Sequence, residues 1–381
     1  MNILITGGLG FIGRALVQRL LAQGGHSITI VDKLSPQVHG EAPDHSDLTD
    51  RPEVHFIKAD ICDDGVLRSA LKGGDLVFHL AAETGTGQSM YEITNYYKTN
   101  VTGTAILLEE IVKHPDLRPA HLVLASSRSV YGEGAYVLRS DLGKADARRF
   151  FPAARSTEDM NAGRFEFAHE GEPLVPVPTL ETDPADPKSL YAASKLAQEH
   201  MCQIALESIG VGFTALRFQN VYGPGQSLRN PYTGILSIFT NILRQGGTID
   251  IFEDGEESRD FVYVEDVISA LIAAPNRAAG TASVINVGHG TRTSVSELVA
   301  QLERKMNTSG RSRISGRFRP GDIRHCFADT QRMRDILGLT QLHGLAEGLS
   351  ATVDWALTQP IEQDRSEIAN KELSKFLKVK S

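Results

Sequence analysis

The sequence predicts an α/β fold: a doubly wound parallel sheet followed by a smaller, mixed α/β C-terminal lobe. Three observations point there. Short apolar stretches of strand length alternate with amphipathic stretches of helix length through the first half of the chain. A glycine-rich turn, from Gly7 to Gly13, joins the first strand to the first helix. After about residue 230 the segments become shorter and mixed, so the regular alternation ends there.

The elements follow in order. Residues 2–6 are apolar and strand-like, and an amphipathic helix runs from the glycine turn to about Gln23. Residues 27–31 form a second strand ending in Asp32, 54–58 a third followed by Ala59 and Asp60, and 76–80 a fourth. A long helical pattern covers 91–113, and 121–125 is a fifth strand running into Ser126 and Ser127. Right-handed crossovers bring the strand ends, and with them the glycine turn, Ala81, Ser127 and Tyr191, around one crevice. Between about 133 and 187 the alternation stops. Proline density rules out a long helix there, so we expect a mostly irregular insertion. The sheet pattern resumes at 211–216. A helix to Leu243, a strand at 249–252, a helix from Val264 and a strand at 283–287 are assigned mainly to the lobe, residues 230–360. The first domain is then 1–229. A charged, helix-compatible tail covers 361–381, either a free tail or an oligomer contact.

A formal net charge of −8 argues against a nucleic-acid-binding surface. No apolar run reaches membrane-spanning length, and the apolar N-terminus is a strand followed at once by glycines, not a signal peptide. Cys62, Cys202 and Cys326 share no metal-ligand spacing and read as reduced thiols. The expectation is a cytoplasmic protein with no metal, no nucleic-acid partner and no membrane.

Gly7, Gly10 and Gly13 stand three apart between a strand and a helix. The first allows a tight turn, the second lets backbone approach a pyrophosphate, and the third lets helix pack on strand. Phe11 and Ile12 open the helix whose N–H groups face the phosphates. Asp32, at the tip of the second strand, can bind ribose hydroxyls and repels a 2′-phosphate, which favours NAD over NADP. Lys33 beside it works against that preference. Asp60 stands where a carboxylate meets adenine or caps a helix.

Tyr191 and Lys195, in SLYAASK, lie four apart and so on one helix face. A free phenol has a pKa of about 10 and is a poor base at neutral pH. A nearby Lys⁺ and an oxidised nicotinamide favour the phenolate, which can then take a proton from a sugar hydroxyl.

These motifs resemble the extended short-chain dehydrogenase/reductase family, within it the NAD-dependent epimerases and dehydratases that act on nucleotide sugars. The resemblance rests on GGLGFIG, HLAA (residues 79–82), NVTGT (100–104), SSRSVYG (126–132), YAASK (191–195), LRFQNVYGPGQ (216–226), RDFVYVEDV (259–267) and RPGD (319–322). It implies a Rossmann-type fold with NAD as cofactor. Tyr191 is implied as the acid/base, Lys195 as the residue that holds the nicotinamide ribose, and Ser127 as the hydroxyl on the reacting oxygen. Ile61, Leu80, Ala81, Ala82 and Asn100 are implied at the cofactor, and Thr84, Arg128 and Ser129 at the substrate. Asn220, Arg259 and Arg319 are implied at the substrate diphosphate, with surface salt bridges as the alternative for the two arginines. Ser126 reads as structural.

Relatives that dehydrate, decarboxylate or epimerise twice carry an acidic pair, a glutamate or a cysteine beside the catalytic serine. Arg128 and Ser129 stand there in this chain, so the resemblance implies redox at a single carbon. A 4-epimerase fits, as do a 4-keto reductase, a 2-epimerase or a non-catalytic NAD-binding protein. The insertion and NPYTGILSIF (230–239) look most like dTDP-L-rhamnose 4-epimerases, which make dTDP-6-deoxy-L-talose. The expected partner is a dTDP- or UDP-linked sugar, and the expected assembly a homodimer built on the helices near 91–113 and 190–209. The insertion is expected at the sugar end of the pocket or as an exposed flap. FAHEG carries no cysteine, so no metal is expected in it.

Overall fold

The structure is a computed structural model that describes residues 1–41, 43–230, 232, 234–275, 282–319 and 321–361. Most of the expected tail therefore lies outside the described residues. Seven parallel strands form the main sheet. Five come from the first third of the chain: β1 (Asn2–Thr6), β2 (Ser27–Asp32), β3 (Val54–Lys58), β4 (Leu76–His79) and β5 (His121–Ser127). The strands Gly212–Phe218 and Ala282–Val287 complete it. From one edge the order is Ala282–Val287, Gly212–Phe218, β5, β4, β1, β2, β3. Strand order reverses between β1 and β4, and that switch point opens a crevice at the strands' carboxyl ends. The inner strands are buried on both faces and mostly apolar, as a sheet covered by helices on both sides requires.

The division expected near residue 230 is crossed. The edge strand Ala282–Val287 returns to the sheet, and the helix Val264–Ala273 packs on α1 (Phe11–Gln23). Only tertiary pairing brings them back, because six-residue apolar strands look alike wherever they dock. The long helix expected over 91–113 is also broken. It is an α-turn Ile93–Tyr96, a π-helical stretch Tyr97–Thr102 and an α-helix Gly103–Lys113. A Cβ on Gly103 would lie 2.4 Å from Ile61 Cδ1, so the glycine sets how closely this helix approaches the sheet.

The insertion is more ordered than expected. Ala135–Leu138 pairs antiparallel with Glu172–Val177, which pairs in turn with Ala168–His169. Its prolines fall outside long helices, but they do not prevent this ribbon. The insertion docks on the lobe through a buried charge network. Arg324, 0 % exposed, lies 2.5 Å from Glu166 of the insertion. It lies 2.9, 2.7 and 3.8 Å from Glu253, Asp254 and Glu257 of the lobe. Arg155 of the insertion adds a bidentate pair with Glu253. Glu133, where the insertion begins, accepts the Arg324 backbone N–H at 2.7 Å and the Tyr136 hydroxyl at 3.1 Å.

This network generates two predictions. Arg324→Met leaves Glu166, Asp254 and Glu257 without their shared cation, with Arg155 still on Glu253. Removing one partner of a buried pair costs about 3–5 kcal/mol, and the half-exposed Glu166 and Asp254 place this case near the lower figure. Urea unfolding should read that loss, and limited proteolysis should cut first between residues 133 and 187. Glu257 carries the second. Burial raises its carboxyl to about 7, with Glu253 adding and Arg324 opposing. The folded chain then holds this proton more tightly than the unfolded one. That stability is fully present below the ordinary glutamate range and is lost as pH rises towards about 7. Glu257→Gln should flatten this fall and be more stable than wild type above neutrality in the same unfolding assay.

Candidate active site

Ser189 caps the helix Leu190–Glu207, its Oγ accepting the Ala192 N–H at 3.1 Å. Tyr191, Lys195 and Glu199 follow at one-turn intervals on the face turned to the sheet. Glu199 forms a buried pair with Arg217, at 2.8 Å, and accepts the Ser126 hydroxyl. Ser126 is thus structural, as expected. Lys195 is buried, and its Nζ donates to the Ala125 carbonyl at 2.8 Å. Burial lowers its pKa to about 8, against the pull of Glu199, so it stays mostly charged at neutral pH.

Ser127 Oγ accepts from the Ser129 N–H at 3.2 Å and the Ser129 hydroxyl at 2.9 Å. Its own proton is then left available to the Tyr191 phenol, which shares the cleft lining. Ser129, expected at substrate, lines the cleft but gives its hydroxyl to Ser127. Burial raises the Tyr191 pKa, and Ser127 and the charge of Arg128 pull it back. Arg128, from the serine turn, is thus a cation that acts on this phenol.

These groups line a cleft of about 880 Å³ that runs along the carboxyl edge of the sheet. Gly7, Gly10, Phe11, Ile12, Gly13, Asp32, Asp60, Ile61, Leu80, Ala81, Ala82, Thr84 and Asn220 all face it. Gly7 has φ +71°, and a Cβ there would lie 2.8 Å from the Ala81 backbone. A Cβ on Gly13 would lie 2.2 Å from the Gly7 carbonyl. No side chain caps α1 and no acid stands in its first turn, so its N–H groups face the cleft for an anion. Asp32 accepts the Leu9 N–H at 3.0 Å and the Leu34 N–H at 2.9 Å. Burial alone would raise this carboxyl, but His39 and these N–H groups hold it below the usual carboxylate range. Lys33 lies 2.6 Å from Glu83 and 3.8 Å from Asp60. It is neutralised there and does not offset Asp32. Asp60 also accepts the Cys62 N–H at 2.9 Å, which closes a turn and caps no helix: the next one, Val66–Ala70, begins after Gly65 with no side-chain cap. These residues fit a dinucleotide whose ribose hydroxyls meet Asp32.

Three expected contacts are not on the cleft. Asn100 is 0 % exposed. Its amide joins the Glu83 backbone to Ser194, so it fixes the loop after β4 on the catalytic helix. Arg259 donates to the carbonyls of Ser258, Ile323 and Arg324, at 2.8, 2.6 and 3.1 Å. Arg319 stacks over Phe252, 4.8 Å from the ring centroid. Arg319 also lies 3.9 Å from Asp322, the exposed salt bridge weighed as its alternative, whereas the carbonyls that hold Arg259 and the ring under Arg319 are not displayed by a sequence motif. The insertion is also absent from the lining, which passes from Ser129 to Tyr191.

Other residues escaped the sequence reading. Arg14 can only donate, so His45 Nδ1 accepts from it at 3.1 Å and His45 Nε2–H donates to His39 Nδ1 at 3.2 Å. His39 Nε2–H then faces Asp32 at 3.6 Å. His79 is fixed in a similar way. Thr104 donates to the Asn100 carbonyl at 2.6 Å and so accepts from His79 Nε2 at 2.9 Å. His79 Nδ1 accepts the Thr6 hydroxyl at 2.7 Å, and burial followed by the charge of Lys195 lowers the imidazole pKa to about 3. No spacing rule links residues so far apart in the chain.

A family model described as the NAD dependent epimerase/dehydratase family matches residues 3–154 and 166–288. The chain belongs to that family. It is an enzyme, and NAD is the cofactor for which the cleft is built. The gap between the two matched segments, residues 155–165, falls inside the insertion. A dTDP-L-rhamnose 4-epimerase of Burkholderia thailandensis is 37 % identical over 356 residues, 93 % of this chain and 94 % of that protein. A UDP-glucose 4-epimerase of Mycolicibacterium smegmatis is 31 % identical over 360 residues, 93 % of this chain and 98 % of that protein. Among solved structures, the UDP-glucose 4-epimerase of Thermotoga maritima with UDP-glucose superposes with a TM-score of 0.74 at 28 % identity, covering 94 % of this chain and 99 % of that one. The UDP-glucuronic acid 4-epimerase of Bacillus cereus with UDP-glucuronic acid and NAD superposes with a TM-score of 0.72 at 26 % identity, covering 93 % and 98 %.

For this family member, Tyr191→Phe should keep fold and NAD content while turnover falls about 10²–10⁴-fold, the usual contribution of a general acid–base. Lys195→Ala should also lose cofactor. Mass spectrometry of released ligand and steady-state rates together check both.

Proposed function

We propose that this enzyme is a nucleotide-sugar 4-epimerase that inverts one stereocentre by transient oxidation at C4. One observation carries the reading. Tyr191 and Ser127 face the cleft together, and the turn beside them offers only Arg128 and Ser129. Neither takes a proton from carbon at neutral pH, so the acid–base equipment serves one hydroxyl.

Tyr191 as phenolate takes the proton of the C4 hydroxyl while Ser127 donates to the same oxygen. NAD, held in the cleft, would supply the redox chemistry for the C4 hydride. Tyr191 gives its proton back to the ketone oxygen once the sugar has presented its other face. Asp32 and the glycine turn hold the adenosine and pyrophosphate, Lys195 the nicotinamide ribose, and Asn220 the substrate diphosphate. The likeness to the Burkholderia enzyme and the segment 230–239, of which Asn230, Tyr232 and Gly234 line the cleft, support dTDP-L-rhamnose as substrate and dTDP-6-deoxy-L-talose as product. A UDP-hexose has separate support in the UDP-glucose 4-epimerases of M. smegmatis and T. maritima. By the same reading the protein works in the cytoplasm, and no described helix is long and apolar enough to cross a membrane. It pairs with a second copy through the helices Gly103–Lys113 and Leu190–Glu207, where Val112 and Ile204 are 38 % and 72 % exposed.

The test is a panel of dTDP-L-rhamnose, UDP-glucose, UDP-galactose and UDP-glucuronate followed by NMR in deuterated water. Inversion at C4 of one of them, with no deuterium on ring carbon, is the expected result. Deuterium on the ring would mean an enolising step, and accumulation of NADH with a keto product would mean a dehydrogenase.

A further inference from the structure

Arg128 follows the catalytic serine and lines the cleft with Ser127, Tyr191 and Asn220. Among the described residues no carboxylate lies within salt-bridge distance of it, although its Nη1 is buried and has no hydrogen-bond partner. A guanidinium held this way costs desolvation energy, and a chain rarely keeps one without use. One of its contacts is specific: Nε donates to Asn220 Oδ1 at 2.7 Å. Because a guanidinium cannot accept, the oxygen of that amide must face Arg128. The Asn220 NH₂ is then turned the other way.

The second contact is electrostatic. Tyr191 is faced by Ser127 and Arg128 from the serine turn, by the edge-on ring of Tyr96 at 6.4 Å, and by Lys195 one turn along its own helix. Arg128 is faced by Asn220, Arg259, Cys326 and Glu133. Burial and the like charge of Arg259 destabilise its charged form, while Cys326 and Glu133 oppose them.

We propose that Arg128 is a positioning residue that joins the two ends of the substrate site: its Nε turns the Asn220 amide so that the NH₂ meets the substrate diphosphate, and its charge, beside the serine that holds Tyr191, favours the phenolate of the base. At Tyr191 burial dominates and raises the phenol, and Ser127 and Arg128 are the two groups that oppose burial there. The diphosphate half rests on the proposed function. The phenolate half does not.

The phenolate half is tested by ultraviolet titration of the NAD-loaded protein, with Tyr191→Phe subtracted to isolate one phenol. In Arg128→Met the phenol titration should move up by about one pH unit, the low end for loss of an adjacent opposite charge. Arg128→Lys should restore it. Unchanged titration in folded, NAD-loaded Arg128→Met overturns the electrostatic half. Arg128→Gln reads the same quantity should the methionine variant fail to fold. The diphosphate half is tested by KM for the nucleotide sugar that the panel identifies. Arg128→Met and Asn220→Ala should each raise it about tenfold, the scale of one charge-assisted hydrogen bond. Asn220→Ala should leave the phenol titration in place. An unchanged KM in Arg128→Met overturns the orienting role. If no nucleotide sugar turns over while the phenol still shifts, the proposed function fails and the electrostatic role of Arg128 stands.

Discussion

The buried Glu199–Arg217 pair fixes where the rest of the cleft stands. Arg217 comes from the strand beside β5 and Glu199 from the catalytic helix, so the pair clamps that helix to the carboxyl edge of the sheet. Ser126 adds a third partner from β5 itself. With two donors on Glu199 and a stacking contact of Arg217 on Tyr131, at 4.7 Å, the pair meets the condition under which a buried ion pair is tolerated: nearly every lone pair has a partner. One turn away, Lys195 can then be buried against Ala125 and still keep its charge. One further turn places Tyr191 over Ser127. Registration of the base therefore depends on a contact two turns down the helix, outside the chemistry.

At the other end of the cleft the controlling constraint is a single carboxylate. Asp32 stays ionised because backbone N–H groups from the glycine turn and from Leu34 reach it. The relay from Arg14 through His45 to His39 ends against the same carboxylate. Lys33, which by sequence alone would soften the repulsion of a 2′-phosphate, is engaged by Glu83 and Asp60. The sign of the field around the ribose is thus set by pairings among three loops that only the fold brings together.

The lobe and the insertion form a separate mechanical unit. Arg324 gathers carboxylates from both, and the ribbon built on Ala135–Leu138 is carried along. Thr179, at the end of the insertion, bridges to Ala328, and Asn286 of the edge strand donates to the Thr179 carbonyl at 2.9 Å. The insertion thereby braces the lobe against the sheet. The lobe in turn supplies Asn230, Tyr232 and Trp355 to the cleft lining.

The sequence by itself determined the parts governed by short-range geometry. A strand, three glycines and a helix can fold into one kind of turn, and a tyrosine and lysine four apart must share a helix face. Hence the sheet and the glycine turn were legible in the sequence, and so was the gathering of Asp32, Ser127, Tyr191 and Lys195 around one cleft. Tertiary structure alone decided the partners of long, charged or amide side chains. Arg259 ended on carbonyls, Asn100 inside the core, and Arg128 beside the base. The same kind of pairing gave the insertion its place on the lobe and returned Ala282–Val287 to the sheet. The physical reason is that an arginine or an asparagine reaches several ångströms and accepts many partners of nearly equal energy. Which partner wins depends on desolvation and on what else is buried nearby, and neither is encoded within a few residues of the side chain itself.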